Sequence, residues 1–320
     1  MGAGSFATPH MPLLIFIIMQ APCGSTAILA GPFPPPRYGM DTQQQSILDY
    51  YRESHIDYLM IWGTFRHLGL HYGYHDAEHR GLHAAVVNMN RQVAERLKLE
   101  PGHRLMDAGC GIGGTSIWMA ENRGAQVTGV NISPDQLARA EKLVRRRNLQ
   151  GQVNFVRRSY TDTGLPDASF DGIYGMESVS YAIDKRDFLR EAYRLLKPGG
   201  RLVITDGFMN DSTFPEHLRE DYQRWLDGWA VDNLAGVQQF QHDLTDLGFR
   251  DIRFDDACAR VLPSSRRMHL AAKYTLWGGK LLEKLHIRTP VQTRNIIAAK
   301  LQYPCLIGRA WIYGIVTAVK

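Results

Sequence analysis

A run of glycines after residue 107 is the part of the sequence that could bind a nucleotide. The segment Asp107-Ala-Gly-Cys-Gly-Ile-Gly-Gly114 follows a predicted strand and precedes a predicted helix. That context suits a nucleotide-binding loop, because residues without a side chain let the backbone approach a ligand closely. Gly109, Gly111 and Gly114 also fit the dinucleotide pattern G-x-G-x-x-G. The loop alone therefore leaves open a nicotinamide-dependent oxidoreductase, a non-catalytic nucleotide-binding module and a glycine turn without a ligand.

Polar side chains follow three further predicted strands. Asn131 ends the second strand, Ser159 and Tyr160 follow the third, and the segment from Glu177 to Tyr181 follows the fourth. Ligands of open parallel sheets bind beyond the carboxyl ends of the strands, so we expect these side chains near the glycine loop. A glutamate at the carboxyl end of a strand could act as a general base, or it could only orient a substrate.

Strands and helices alternate between residues 104 and 205, and this alternation predicts an α/β fold with a parallel sheet of five strands. The predicted strands are 104–107, 126–131, 153–157, 172–176 and 201–205, and the predicted helices are 115–123, 134–147 and 185–196. A strand near 251–254 and an apolar strand at 311–319 follow, and we expect the latter to be the last strand of the sheet.

The chain divides into three predicted parts. Residues 40–100 form a mostly helical N-terminal segment, and residues 101–320 form the α/β domain with helical cap insertions at about 208–247 and 264–300. Residues 1–39 are expected to be a disordered or misassigned extension. Their apolar run at 11–19 lacks a preceding Lys or Arg and is shorter than the roughly 20 residues that span a bilayer, and a secretory signal stays open as the alternative.

Composition restricts the class of protein. The net charge of +5 comes from basic residues scattered among acids, which does not favour binding to nucleic acid. Four distant cysteines suggest neither a disulfide framework nor a structural metal, so we expect a reducing, cytoplasmic setting and no metal site. The apolar cap predicts a hydrophobic small-molecule substrate. Transient membrane contact through residues 264–299 and assembly as a homo-oligomer stay open.

Further segments match one known family. The sequence from His71 to Phe208 resembles the class I methyltransferases that use S-adenosylmethionine, and 165–171 and 195–200 are typical of them. The resemblance implies a Rossmann-like sheet and S-adenosylmethionine as the cofactor. The residues that it assigns to the cofactor site are Asp107, Gly109, Gly111, Gly113, Asn131, Gln136, Ser159 and Tyr160.

The individual roles follow from the same resemblance. Asp107 and the glycines would hold the methionine portion of the cofactor. Asn131 stands where a ribose-binding acid often lies, and its amide can still bond a hydroxyl group. Ser159 replaces an acid of the family, while Tyr160 could stack on the adenine ring. The missing acid at Asn131 and the Lys197-Pro-Gly-Gly turn argue against a nicotinamide enzyme.

A narrower resemblance concerns the fourth strand end. Glu177, Ser178 and Tyr181 match a Glu-Ser-x-x-Tyr pattern of geranyl diphosphate methyltransferases, and the sterol and tocopherol C-methyltransferases share the glutamate but usually have histidine at the tyrosine position. The resemblance implies methylation of an isoprenoid alkene, with Glu177 and Tyr181 as catalytic residues. Glu177 would deprotonate the carbocation, and the residues expected to contact the substrate are Tyr51, Tyr72, Trp225 and Trp229.

Alternatives remain at each of these positions. The closest rival is an O- or N-methyltransferase of a quinone, polyketide or alkaloid, in which Glu177 would have another role. Tyr181 could be packing, and Trp225 and Trp229 could be core. The pair Arg266-Arg267 could meet a diphosphate or be a solvated helix face. Mg²⁺ is plausible with a diphosphate substrate, although no carboxylate cluster demands it.

Overall fold

The computed structural model of the protein describes residues 45, 48–50, 52–53 and 69–320. The predictions for residues 1–39, for Tyr51 and for most of the helical segment before residue 69 therefore lie outside the described residues. No experimental or structural observation tests the division into three parts, which stays a prediction.

The described residues form a seven-stranded mixed sheet with helices on both faces. The strands are β1 Arg104–Ala108, β2 Gln126–Asn131, β3 Val153–Arg157, β4 Phe170–Met176, β5 Leu196–Met209, β6 Arg250–Asp256 and β7 Trp311–Val319. Their order is β3-β2-β1-β4-β5-β7-β6. β1 to β5 pair in parallel, and β7 pairs antiparallel with β5 and β6. The predicted Rossmann-like fold and its five parallel strands are confirmed.

β7 is the last strand along the chain but not at the edge of the sheet. It lies between β5 and β6, and its first eight residues, 311–318, are all buried. β6 has the edge position, where most of its residues are exposed. A continuous apolar run is typical of a strand covered on both faces, which explains why β7 is inserted rather than terminal.

Eight α-helices flank the sheet within the described residues. They are α1 Leu82–Leu97, α2 Gly114–Arg123, α3 Pro134–Arg146, α4 Lys185–Leu195, α5 Arg219–Gly228, α6 Val237–Asp246, α7 Cys258–Lys284 and α8 Pro290–Ile307. Two of them begin with a proline after a capping hydroxyl. Ser133 accepts a hydrogen bond from the N–H of Gln136, and Thr289 forms a capping box with Gln292.

Buried side chains fill both faces of the sheet. One core includes residues of α1, α2, α5, α7 and α8, and the other includes residues of α4 and α6. α7 begins at Cys258, six residues before the predicted insertion, and Pro263 lies within its first turns. None of the helices in the described part of the chain is both long and apolar enough to cross a membrane.

Candidate active site

A cavity of about 310 Å³ lies at the carboxyl ends of β1, β2, β4 and β5. Its floor comes from the loops that follow these strands, and α5, α7, α8 and β7 contribute to its walls. This is the edge at which parallel sheets bind ligands. Its volume is at the lower end of the roughly 300–1,000 Å³ that small-molecule sites occupy.

The glycine loop after β1 forms one side of the cavity. Gly109 and Gly111 have φ angles of 79° and 53°, which glycine adopts without strain. A Cβ atom at Gly109 would collide with the Cβ of Ser178, whereas a Cβ at Gly111 would have only the Leu70 side chain within 4 Å, at 3.9 Å. The backbone at Gly111 is therefore open to a ligand, and this open cradle fits a bound cofactor.

Two polar side chains at strand ends are tied to this loop. Asp107 is buried and accepts a 2.6 Å hydrogen bond from the hydroxyl of Ser116, and burial raises the pKa of its carboxyl to about 6. Asn131 donates to the carbonyl oxygen of Gly111 at 3.3 Å and to Oε1 of Gln136 at 2.8 Å. The side-chain amides at the end of β2 and the start of α3 are thus positioned by each other and by the glycine loop.

Tyr160 connects the loops after β3 and β4. Its hydroxyl donates to the carbonyl oxygen of Ser178 at 2.7 Å, and its ring meets Phe188 edge-on with centroids 5.5 Å apart. Burial raises the pKa of the Tyr160 hydroxyl. Beside it, the Ser159 and Thr161 hydroxyls lie 2.6 Å apart. The tyrosine ring is held rigidly at the cavity wall, where a flat ligand could pack on it.

Glu177 follows β4 in an unusual backbone conformation. Its φ is 52°, a region that a residue with a side chain adopts only when the surroundings enforce it. Oε1 accepts two hydrogen bonds of 2.7 Å, from the backbone N–H of Tyr72 and from the hydroxyl of Tyr313. Oε2 has no hydrogen-bond partner among the described residues. One oxygen therefore anchors the carboxyl group, and the other is left to act on a ligand.

The surroundings of Glu177 favour its neutral form. Burial raises the pKa of its carboxyl to about 8, the hydrogen bonds from Tyr313 and Tyr72 lower it in part, and the charge of Asp206 raises it further. Burial and the negative charge of Glu177 also raise the pKa of the Tyr313 hydroxyl, so it remains a donor. A carboxyl group that titrates near neutral pH is suited to proton transfer.

A second buried carboxyl group lies in β5, three residues before the strand ends. Asp206 accepts hydrogen bonds from the N–H groups of Ser180 and Gly207, and burial raises the pKa of its carboxyl. The positive charge of Lys185 lowers the pKa of Asp206 in part. The Lys185 ammonium donates hydrogen bonds to the carbonyl oxygen of Ala182 and to the carbonyl and side-chain oxygens of Asn233. Burial lowers the pKa of Lys185 to about 8.

Aromatic rings form the wall opposite the glycine loop. Trp311 lies 4.8 Å from Trp225 and 6.2 Å from Tyr72, and Tyr72 meets Tyr313 edge-on at 5.7 Å between ring centroids. Gln302 of α8 fixes two of these rings. Its Oε1 accepts from the Tyr72 hydroxyl at 2.9 Å, and its carbonyl oxygen accepts from the Trp311 indole at 2.9 Å. The wall is therefore apolar and preorganised around Glu177.

No lysine or arginine side chain lines the cavity in the described part of the chain. All the charged residues that line it are carboxylic acids, namely Asp107, Glu177, Asp184, Asp187 and Asp206. The described residues also contain no group of three or more His, Cys, Asp or Glu side chains that could hold a metal ion. A diphosphate group would therefore meet no cationic partner among them.

Comparison with known proteins agrees with this geometry. A family model described as a methyltransferase domain matches residues 106–204. The O-methyltransferase resE of Aspergillus sclerotiorum is 31% identical over 68% of this chain and 81% of its own length. The 27-O-demethylrifamycin SV methyltransferase of Amycolatopsis mediterranei is 32% identical over 64% of this chain and 73% of its own. The chain belongs to the class I S-adenosylmethionine-dependent methyltransferases.

Solved structures share the whole fold of this methyltransferase. The [4+2]-cyclase SpnF superimposes with a TM-score of 0.71 and 25% identity, covering 88% of this chain and 97% of the other. The geranyl diphosphate C-methyltransferase from Streptomyces coelicolor A3(2) gives a TM-score of 0.70 at 19% identity, covering 89% and 99%. Proteins of different activity thus have this arrangement of sheet and cap, so the reaction has to be argued from the site.

Most of the site residues predicted from the sequence meet at the cavity of the methyltransferase. Those that line it are Tyr72, Asp107, Gly109, Gly111, Asn131, Gln136, Ser159, Tyr160, Glu177, Tyr181, Trp225 and Trp229. Gly113 does not line it, because it begins α2 and faces the Phe155 ring, which a Cβ would approach to 2.7 Å. Tyr51 lies outside the described residues. The roles assigned to all these residues stay proposals.

The structure distinguishes between the two alternatives for Arg266-Arg267. Arg266 and Arg267 are exposed on α7 and do not line the cavity, so they are a solvated face rather than a diphosphate site. In the turn before α1, the Asp76 carboxylate accepts hydrogen bonds from His79 and from Asn88 of α1. In the same turn, the Tyr74 ring lies under the guanidinium carbon of Arg260, which is 5.4 Å from the ring centroid.

Several cavity residues were not identified from the sequence. Tyr313 and Trp311 come from β7, Asp206 directly follows the predicted strand 201–205, and Asn295 and Met268 belong to the cap helices. The position of Asp206 at a strand end was a usable signal, because the other strand-end acids were selected on that ground. The remaining four depend on how distant segments pack.

Proposed function

We propose that this methyltransferase methylates a hydroxyl oxygen of an uncharged, largely apolar secondary metabolite, with Glu177 as the base. The observation that carries the proposal is the Glu177 carboxyl group. Two donors fix Oε1, Oε2 has no partner among the described residues, and burial raises the pKa to about 8. Such a group can take a proton from an acceptor held in an apolar cavity.

The cofactor supplies an electrophilic methyl group when it is bound. Asp107, Asn131 and the open backbone at Gly111 would hold it, and the rigid Tyr160 ring would face its adenine. The chain positions the acceptor oxygen toward the methyl group and excludes water. Oε2 of Glu177 would receive the proton that the acceptor hydroxyl loses when the methyl group passes to its oxygen and the bond from that methyl group to the cofactor sulfur breaks, which leaves a neutral thioether.

The lining of the cavity and the relatives support this acceptor class. The described lining has aromatic rings and acids but no lysine or arginine, which suits an uncharged molecule better than a diphosphate. The curated relatives include several that are named O-methyltransferases, at 30–33% identity. These are the reasons for preferring a hydroxyl acceptor over a prenyl diphosphate, and they give Mg²⁺ no role.

Methylation of an isoprenoid alkene is the second candidate. The rings of Tyr72, Tyr313 and Trp311 contact one another, and the Tyr313 hydroxyl is bonded to the Glu177 carboxyl group, so these rings would stabilise a carbocation beside it by about 1–2 kcal/mol for each desolvated ring. The same glutamate would then remove the proton from the carbocation. A sterol 24-C-methyltransferase is among the relatives, at 28% identity over 47% of its length.

The test is turnover of methyl-labelled S-adenosylmethionine with a panel of neutral polyols, phenols, sterols and prenyl diphosphates. Products are analysed by NMR to identify the methylated atom. We expect O-methylation of a neutral acceptor without added Mg²⁺, and a loss of about 10²–10⁴-fold in kcat for Glu177→Gln. Glu100→Gln, an exposed carboxylate in a turn, is the matched control and should keep full activity.

Two results would contradict the proposal. Methylation at carbon of a prenyl diphosphate alone would favour the second candidate. O-methylation at the wild-type rate by Glu177→Gln would show that another group accepts the proton, because an amide cannot act as this base.

A further inference from the structure

α7 carries a stripe of exposed apolar side chains on one face. Leu270, Tyr274, Trp277 and Leu281 of α7 and its C-cap residue Leu285 follow one another at steps of four, three, four and four positions, a spacing that aligns them along a helix. Tyr274 and Trp277 are 79% and 77% exposed, although such rings are usually covered. We call these five residues the α7 stripe.

Basic residues border the α7 stripe. Lys273, Lys280 and Lys284 are exposed, and no ion pair involves them within the described residues. α7 contains six basic residues and one acidic residue, Glu283. The helix therefore presents an apolar face next to a row of uncompensated positive charge.

The opposite face of α7 belongs to the methyltransferase cap. Met268 is buried and lines the cavity, and Ala272 is buried in the same core. Gly279 packs so closely on α8 that a Cβ there would come within 2.8 Å of the Ile296 side chain. The helix thus has a covered inner face at the cavity wall and an uncovered outer face, the α7 stripe.

We propose that the α7 stripe docks the protein on the surface of an anionic phospholipid bilayer. Tryptophan and tyrosine favour the level of the head groups, and the bordering lysines complement anionic lipid. A second copy of this chain fits less well, because a two-fold contact through the stripe would bring two rows of lysines together. Docking would place the cap, and with it the wall of the cavity, against the membrane.

Binding to vesicles tests the proposal independently of the methyl acceptor. The full chain is sedimented with vesicles of phosphatidylcholine containing about 30% phosphatidylserine, and with pure phosphatidylcholine as comparison. We expect binding to the anionic vesicles that weakens with added salt. Lys273→Gln with Lys280→Gln and Lys284→Gln should lower the partition coefficient about a hundredfold, since each basic residue near the surface contributes about fivefold.

Matched variants distinguish binding through the α7 stripe from non-specific adsorption of the protein to vesicles. Leu281→Ser should weaken binding, whereas Ile307→Ser, at a somewhat more exposed apolar residue outside the stripe, should not. Lys142→Gln with Arg145→Gln and Arg146→Gln removes the same charge from α3, beside β2 and β3 at the other end of the sheet, and should have the smaller effect. Retained folding is checked by thermal unfolding of each variant.

Three results would overturn the proposal. The first is the absence of binding to anionic vesicles by the folded wild-type chain. The second is equal loss in the α3 and α7 charge variants, which would indicate a non-specific effect of net charge. The third is a concentration-dependent dimer, measured by sedimentation velocity without lipid, that Trp277→Ser dissociates, because the stripe would then be an interface between two copies.

Discussion

Replacement of Glu177 by glutamine should make the protein more stable while it removes the base. The carboxyl group has an ordinary pKa of 4.5 in the unfolded chain, and burial raises its pKa to about 8 in the fold. At about 1.4 kcal/mol for each pH unit, ionising it in the folded state costs up to about 5 kcal/mol. Glutamine keeps an oxygen for the two donors and carries no charge, so it avoids this cost.

The difference in the free energy of unfolding between wild type and Glu177→Gln should depend on pH. Between pH 4.5 and about 8 the folded chain holds a proton on Glu177 that the unfolded chain has released, so wild-type stability falls as pH rises. The variant lacks this slope. Its advantage in the free energy of unfolding should be near zero at pH 4.5, at most about 3 kcal/mol at pH 7 and at most about 5 kcal/mol above pH 8. These are upper limits because the side chain is partly open to the cavity.

Urea unfolding of both proteins at a series of pH values measures this difference. Glu191→Gln is the control of opposite sign. Burial raises the pKa of Glu191, but hydrogen bonds from Arg194 and Thr163 lower it by more, so the pKa lies below its usual value. The ionised carboxylate therefore stabilises the fold, and Glu191→Gln should lower the free energy of unfolding at pH values above the ordinary pKa of glutamate. A difference between wild type and Glu177→Gln that stays constant from pH 5 to pH 8 would refute the raised pKa and the reasoning built on it.

Three further changes should have measurable effects. Tyr313→Phe removes a donor that favours the ionised base, so the alkaline rise of kcat/KM should move to higher pH in a pH–rate profile. Gly109→Ala combines a φ of 79° with a clash against the Ser178 side chain and should weaken cofactor binding in calorimetry, whereas Gly102→Ala, at φ 85° without neighbours, should lower stability only. Gly278→Ala should stabilise the fold by about 0.5–1 kcal/mol in thermal unfolding, and Gly279→Ala should not, because α8 occupies its space.

The sheet and one side of the site could be predicted from the sequence. The strands from 104 to 205 are short apolar segments between helical segments, and local periodicity is sufficient to identify them. Their order fixes which residues meet, because all parallel strands end at the same edge. This is why Asp107, Asn131 and Glu177, which span seventy positions of the sequence, could be assigned to one site.

The other side of the site depends on long-range packing that no local pattern encodes. The apolar segment of β7 predicts a strand, but its antiparallel register opposite β5 decides that Tyr313 pairs with Gly207 and reaches Glu177. Gly113 shows a related limit. The spacing of the glycines predicts the loop, whereas only the packing of Phe155 against the start of α2 shows that this glycine faces away from the ligand.

The base of the proposed reaction is assembled from three distant parts of the chain. Glu177 accepts one hydrogen bond from Tyr72, 105 positions earlier, and another from Tyr313, 136 positions later. Tyr72 is itself held by Gln302 of α8, so the cap helix reaches the carboxyl group through a chain of two hydrogen bonds. Because both donors favour the ionised form, the proton affinity of Glu177 depends on the position of the cap. A cap that shifts when an acceptor binds would change that affinity at the step where the proton has to be taken.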